Sequence, residues 1–236
     1  MFKKAKFNYN IYNNSNYNKA TYTGISKILY QINHKLLDFN INKRFNEHIL
    51  EIGGGAEPHI KYMDTKNIKT YTIVDDKFFK KKCEKLNKKY KNITIRFINY
   101  KKIKFHKPLL KYTRMISSHS FEHFLFFEND FINLLKFMAK KSRISVALPC
   151  DPGLLWRFLQ YFSYFKQKNI YKWSDISEKD LDDSRDHVTP VQNIFKVLKY
   201  YFPNLKKILF PFLIPIIEIN IFLIIQIKLS DFKKTN

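Results

Sequence analysis

Three of the five glycines in this chain of 236 residues stand side by side, closing the run Ile49-Leu50-Glu51-Ile52-Gly53-Gly54-Gly55. A short apolar run breaking into bare backbone reads as a strand, residues 48–52, entering a turn where a ligand can approach the main chain. Pro58 stands where a first-turn proline opens a helix, with Ile60 and Met63 turned inward. Strand, glycine turn and helix in that order open an α/β sheet, whose ligands bind beyond the carboxyl ends of the strands.

The alternation continues along the chain. Residues 70–74 form the next strand and end in Asp75 and Asp76. The helix after it aligns Phe79, Cys83, Leu86 and Tyr90, which makes its lysine run a solvated face. Residues 93–98, 114–117 and 144–148 read as strands three to five, with a helix carrying Phe127, Phe131, Leu134, Leu135 and Met138 before the last. The pattern predicts one domain with a mostly parallel sheet and helices on both faces. It divides into an N-terminal helical segment (1–40), a core (41–150), a helical insert (151–202) and final strands (203–236).

In the insert, Asp151-Pro152 reads as an N-cap and first-turn proline before a helix, residues 153–165, that is apolar nearly all round. A polar, irregular stretch follows to His187, and Thr189-Pro190 caps a helix reaching Tyr201. We read the insert as a lid or acceptor-binding element. Residues 208–229 are long enough to span a bilayer, yet from Ile217 onward apolar and polar residues alternate with a period of two, so this is a core strand. No transmembrane segment is expected.

Lys and Arg outnumber Asp and Glu by 43 to 20, a formal charge of +23. Such an excess attracts anionic partners, namely nucleic acid, anionic lipid or acidic metabolites. The lysines are spread through the whole chain, so the excess reads first as compositional drift rather than a designed patch. Cys83 and Cys150 stand far apart and unpaired, and residues 1–16 carry no apolar stretch. A cytoplasmic protein without a signal peptide is the expectation.

The ligand of the glycine turn follows from its neighbours. A dinucleotide fingerprint would place a third glycine at Pro58, and no Gly-Lys-Ser/Thr follows for a P-loop. Glu51 and Glu57 flank the turn and would repel a pyrophosphate but not a cationic nucleoside. Asp75, at the end of the second strand, can accept hydrogen bonds from both hydroxyls of a ribose.

These residues resemble the class I S-adenosylmethionine-dependent methyltransferases. The acid-x-Gly-x-Gly motif of that family is matched by Glu51, Gly53 and Gly55, with Gly54 between them. The family's third glycine is Glu57 here. The second-strand acid corresponds to Asp75, with Asp76 as a neighbouring alternative, and the third-strand acid falls on Asn99, with Tyr100 along the adenine ring. The stretch Ile116-Ser117-Ser118-His119-Ser120-Phe121-Glu122-His123 looks like the fourth-strand motif, which would put Ser117 against the cofactor. The resemblance implies a Rossmann-like seven-stranded sheet with its last strand antiparallel, and S-adenosyl-L-methionine as cofactor. The run from Leu148 to Trp156 is similar to small-molecule methyltransferases encoded among bacterial surface-polysaccharide genes.

The acceptor implied is a small molecule or glycan, O-methylated, with anionic or lipid-linked acceptors suggested by the charge and the apolar helix. That helix also admits peripheral contact with a membrane surface. RNA is the first rival acceptor, although no Asn-Pro-Pro-Tyr-like element is present. A scaffold without cofactor is the second rival. For a hydroxyl acceptor a histidine base is needed, and His119 and His187 are the candidates. Each could instead serve its own loop or helix entry. His119 and His123 are spaced as a metal-binding pair, but Ser120 stands where the zincin glutamate belongs, so no metal is expected.

Overall fold

The computed structural model describes residues 24–107, 110–171 and 173–233. Seven strands form one sheet: β1 (His48–Ile52), β2 (Thr70–Asp75), β3 (Thr94–Asn99), β4 (Tyr112–Ser118), β5 (Met138–Pro149), β6 (Lys206–Phe210) and β7 (Phe222–Lys228). Their order is β3-β2-β1-β4-β5-β7-β6, and β7 alone runs antiparallel to its neighbours, lying between β5 and β6. The chain starts in the centre of the sheet and works outward, first to one side and then to the other. The reversal between β1 and β4 opens a crevice at their carboxyl ends.

The helices are α1 (Gly24–Leu37), α2 (Lys80–Lys89), α3 (Phe127–Leu135), α4 (Leu154–Tyr171), α5 (Ile176–Asp186) and α6 (Val191–Tyr201). Alternation along each strand builds a core on both faces. In β1, Leu50 and Ile52 pack with α3 and α6, while Ile49 packs with α1 and α2. Each such side chain contributes about 1.5–3 kcal/mol by leaving water. In β7, Leu223, Ile225 and Ile227 take the first face, and Phe222 and Ile224 the second.

Several sequence expectations are corrected. No helix follows Pro58; it precedes a single 3-10 turn, His59–Lys61, because the Glu51 carboxylate holds the His59 amide (2.8 Å). Met138 belongs to β5, not to the preceding helix. Residues 208–229 are not one strand: Ile208 lies in β6, and β7 begins only at Phe222 after a 3-10 turn, Ile217–Ile219. Residues 1–23 of the N-terminal helical segment lie outside the described part.

The insert differs most from its reading. Asp151-Pro152 is a cis peptide, and Asp151 caps no helix; its carboxylate turns to His187 instead. The polar stretch is the helix α5, whose N-cap Asp175 accepts from the Glu178 amide (2.9 Å). The apolar helix α4 packs Leu155, Trp156 and Leu159, each partly buried, against the sheet but leaves Leu154, Phe158, Phe162 and Phe165 more than half exposed. No helix among the described residues is long and apolar enough to cross a membrane.

A polar junction ties α1 to the sheet. Arg114 of β4 is completely buried; it donates to the Leu37 carbonyl (2.8 Å) and Asn46 Oδ1 (3.0 Å) and pairs with Asp38 (2.7 Å). Asp38 also meets His59 Nε2 (3.0 Å), and His59 Nδ1 meets His34 Nδ1 (2.8 Å). Burial holds His34 down to about 2, so its imidazole is neutral.

Candidate active site

Parallel register sets the ends of the central strands side by side: Ile52 pairs with Val74 and Ser117, and Asp75 with Asn99. The glycine turn lies over this edge. Gly53 has φ +78°, and a Cβ there would fall 1.7 Å from Ser120 Oγ, so the turn is pressed against the segment after β4. A Cβ on Gly54 would enter the Glu51 carboxyl, and one on Gly55 would strike Phe79 and Asp75. The Gly55 amide donates to Asp75 Oδ2 (2.7 Å).

Glu51 does not stand free at the rim. It is buried beneath the turn, accepting from the His59 amide and from Tyr71 Oη (2.7 Å). Burial pushes its carboxyl up to about 8, against the pull of those two donors. Glu57 is tied to Lys61 (2.9 Å) and Tyr62 (3.0 Å), and Lys82 donates to the Ala56 carbonyl. The expectation of a turn flanked by free negative charge is therefore corrected: the turn is held from below by a neutral acid.

Asp75 is half-buried, and burial pushes its carboxyl up to about 6 although the Gly55 and Asp76 amides both donate to it. Asp76 is exposed and caps the next turn through the Phe78 amide (3.0 Å). Asn99 does the same through the Lys101 amide (3.0 Å). Tyr100 turns toward α3, donating to Asp130 (3.1 Å) and packing against Phe124, so it does not lie along the strand edge. Ser117 is buried with no partner for its hydroxyl.

The two candidate bases sit in different surroundings. His119 has φ 51°, its ring stands edge-on to Tyr30 and Phe222, and its Nε2 is buried without a partner. Burial lowers it to about 3, reinforced by His187 and His123, so it is a neutral imidazole. His187 Nδ1 meets Asp151 Oδ2 at 2.7 Å. Burial opposes its charge, but the Asp151 hydrogen bond prevails and raises it. The imidazole of His123, which lies 5.3 Å from that of His187, meets the Asp186 carbonyl (2.8 Å). Sequence reasoning gave no acceptor-side role to Asp151, Asp183 or Glu122, because no local motif contains them.

Beyond His187 opens a cavity of about 640 Å³ between the end of β5 and the helices α4 to α6. Leu154, Trp156, Phe158 and Tyr161 supply an apolar wall; Glu122, Asp151, Asp180 and Asp183 supply carboxyls, against Arg157 and His187. The positive excess of the chain is not expressed here, which counts against an anionic acceptor in this cavity.

No family model and no curated protein matches the sequence. Solved structures do match. The chain is similar to the N-methyltransferase NodS from Bradyrhizobium japonicum WM9 in complex with S-adenosyl-L-homocysteine, at TM-score 0.57 and 9% identity, covering 92% of this chain and 93% of that one. The plantazolicin methyltransferase BpumL, also with S-adenosylhomocysteine, gives 0.54 and 14%, covering 93% of each chain. The CurJ carbon methyltransferase gives 0.58 and 13%, covering 90% of this chain, which spans only 57% of that one. At such identities the likeness establishes the fold, a Rossmann-like methyltransferase sheet.

Proposed function

We propose that this chain is an S-adenosylmethionine-dependent methyltransferase acting on a hydroxyl of a small molecule or glycan. One observation carries the reading: a glycine turn too tight for side chains is pinned by its Gly55 amide to the half-buried acid ending the second strand, Asp75. In that fold the neighbours NodS and BpumL hold S-adenosylhomocysteine. The residues fit such a nucleoside. Asp75 and Asp76 offer carboxylate oxygens to ribose hydroxyls, the turn presents bare backbone, and the buried Ser117 hydroxyl lacks a partner among the described residues.

When bound, the cofactor supplies a methyl group on cationic sulfur; the acceptor oxygen forms the new bond as the S–CH3 bond breaks, its electron pair remaining on sulfur. The chain's own part is positioning and proton handling. His119, neutral and adjoining the turn through Ser120, accepts a hydrogen bond from the acceptor hydroxyl and orients it; burial holds it at about 3, too weak a base to keep the proton, which leaves to solvent. His187, fixed by Asp151, holds the acceptor from the cavity wall, and the apolar face of α4 takes its hydrocarbon part. A glycan on a lipid carrier satisfies both walls. The insert 151–202 is thus the acceptor-binding element.

Isothermal calorimetry with S-adenosylhomocysteine tests the premise. Binding is expected in the micromolar range, about −8 kcal/mol, and Asp75→Ala should weaken it at least about 100-fold. A wild-type protein that stays folded and gives no heat would leave a scaffold in place of an enzyme.

A further inference from the structure

The 3-10 turn Phe121–His123 after β4 presents two adjacent polar side chains to which methyl transfer gives no task. Glu122 is 3% exposed, it lines the cavity, and neither of its carboxylate oxygens has a hydrogen-bond partner among the described residues. A buried carboxylate without donors calls for an occupant. The histidines beside it are prepared differently. Nδ1 of His123 is held by the Asp186 carbonyl, with Asp186 Oδ1 at 3.2 Å; Nδ1 of His187 is held by Asp151 Oδ2. Each imidazole is fixed through Nδ1 by an oxygen acceptor. This is the outer-shell bond that metal-bound histidines carry. One ligand atom from each of Glu122, His123 and His187 lies within 4.8 Å of the other two.

We propose that Glu122, His123 and His187 bind one divalent transition-metal cation, zinc or an ion of similar size, whose remaining coordination positions face the cavity. Two imidazoles and one carboxylate suit such an ion better than magnesium or calcium, which prefer oxygen ligands throughout. Tetrahedral ligands about 2.0–2.2 Å from a common centre stand about 3.3–3.6 Å apart, so an inward rotation of the side chains completes the site. Three protein ligands leave room for an exogenous oxygen. Resting on the methyl-transfer reading, that oxygen is the acceptor hydroxyl, which the cation holds and makes more acidic. His119, whose Nδ1 is 3.9 Å from Glu122, stands beside it as a neutral hydrogen-bonding partner, and the proton leaves to solvent. The spacing that sequence reasoning tests for, two histidines four apart, pairs His123 with the wrong partner.

The test is a cobalt(II) titration of the chelator-treated full chain, followed by visible absorption, with zinc as competitor. One equivalent of cobalt should bind with a saturable ligand-field band, and zinc should abolish it. Glu122→Gln and His187→Ala should each weaken binding at least about 100-fold and Asp151→Asn about 10- to 100-fold, while His106→Ala, at a histidine outside the cluster, changes nothing. No saturable band in the wild type, or a band that survives both Glu122→Gln and His187→Ala, overturns the site. Circular dichroism checks each variant, and if one unfolds the wild-type titration decides alone. Calorimetry with S-adenosylhomocysteine on the same preparation separates the two proposals: cobalt binding without nucleoside heat removes only methyl transfer, and the reverse removes only the metal.

Discussion

The two halves of the crevice are built on opposite physical plans. On the side of β1 to β3, backbone does the work: a turn with no room for a Cβ, amides bound to Asp75, and a Glu51 kept neutral by burial. On the side of β5 and the insert, charged side chains do it: His187 against Asp151, His123 against Asp186, Lys179 against Asp183. The first half is assembled from neighbouring stretches of one strand-turn-strand unit; the second from side-chain pairs that join distant segments. On the methyl-transfer reading, such a division lets one half hold a constant nucleoside while the other is refitted to different acceptors.

Three substitutions would sharpen or break that contrast. The largest effect is expected from His119→Gln, at the seam. Loss of the imidazole that orients the acceptor hydroxyl should lower kcat about 100-fold while the dissociation constant for S-adenosylhomocysteine stays within about twofold, measured by steady-state kinetics and calorimetry. A matching loss of nucleoside affinity would mean that the halves are not separable.

Next is Glu51→Gln. In the folded protein Glu51 keeps its proton up to about 8, whereas unfolded it ionises near its ordinary 4.5. Between those values the native state binds the extra proton, so stability falls as pH rises, and the contribution is fully lost above about 8. Thermal melts of the nucleoside-free wild type should therefore show a Tm that declines over that window, and glutamine, neutral at every pH, should flatten the decline. A wild type whose Tm rises there would contradict a neutral acid under the turn.

The smallest effect is expected from Ser117→Ala. Its buried hydroxyl has no partner, so removing it should change stability by less than about 1 kcal/mol in denaturant melts. Nucleoside binding should weaken only if that hydroxyl is used by the ligand.

Legibility in the sequence divides along the same line. The first plan is local: Gly53, Gly54, Gly55 and Asp75 belong to one strand-turn-strand unit, and their residue types follow from backbone geometry that short-range rules capture. Strand β1 is where the sequence put it, residue for residue. The burial of Glu51 was not legible, because it depends on Tyr71 arriving from the neighbouring strand. The second plan is non-local. His187 finds Asp151 across 36 residues and His123 finds Asp186 across 63. Helix α5 hides for a related reason: it reads Ile-Ser-Glu-Lys-Asp-Leu-Asp-Asp-Ser-Arg-Asp, with no apolar stripe, and is fixed by the cap of Asp175 and by a buried Lys179 paired with Asp183.

Arg114 carries a consequence for ancestry. Its guanidinium, sealed in the sheet, depends on an anion that α1 delivers from the far end of the primary sequence, so helix and strand cannot drift independently. Exchange of Asp38 alone would leave a buried cation without its counter-charge, at a cost of about 3–5 kcal/mol. Descendants of this chain should therefore inherit the couple intact, or replace both members in a single step with apolar residues.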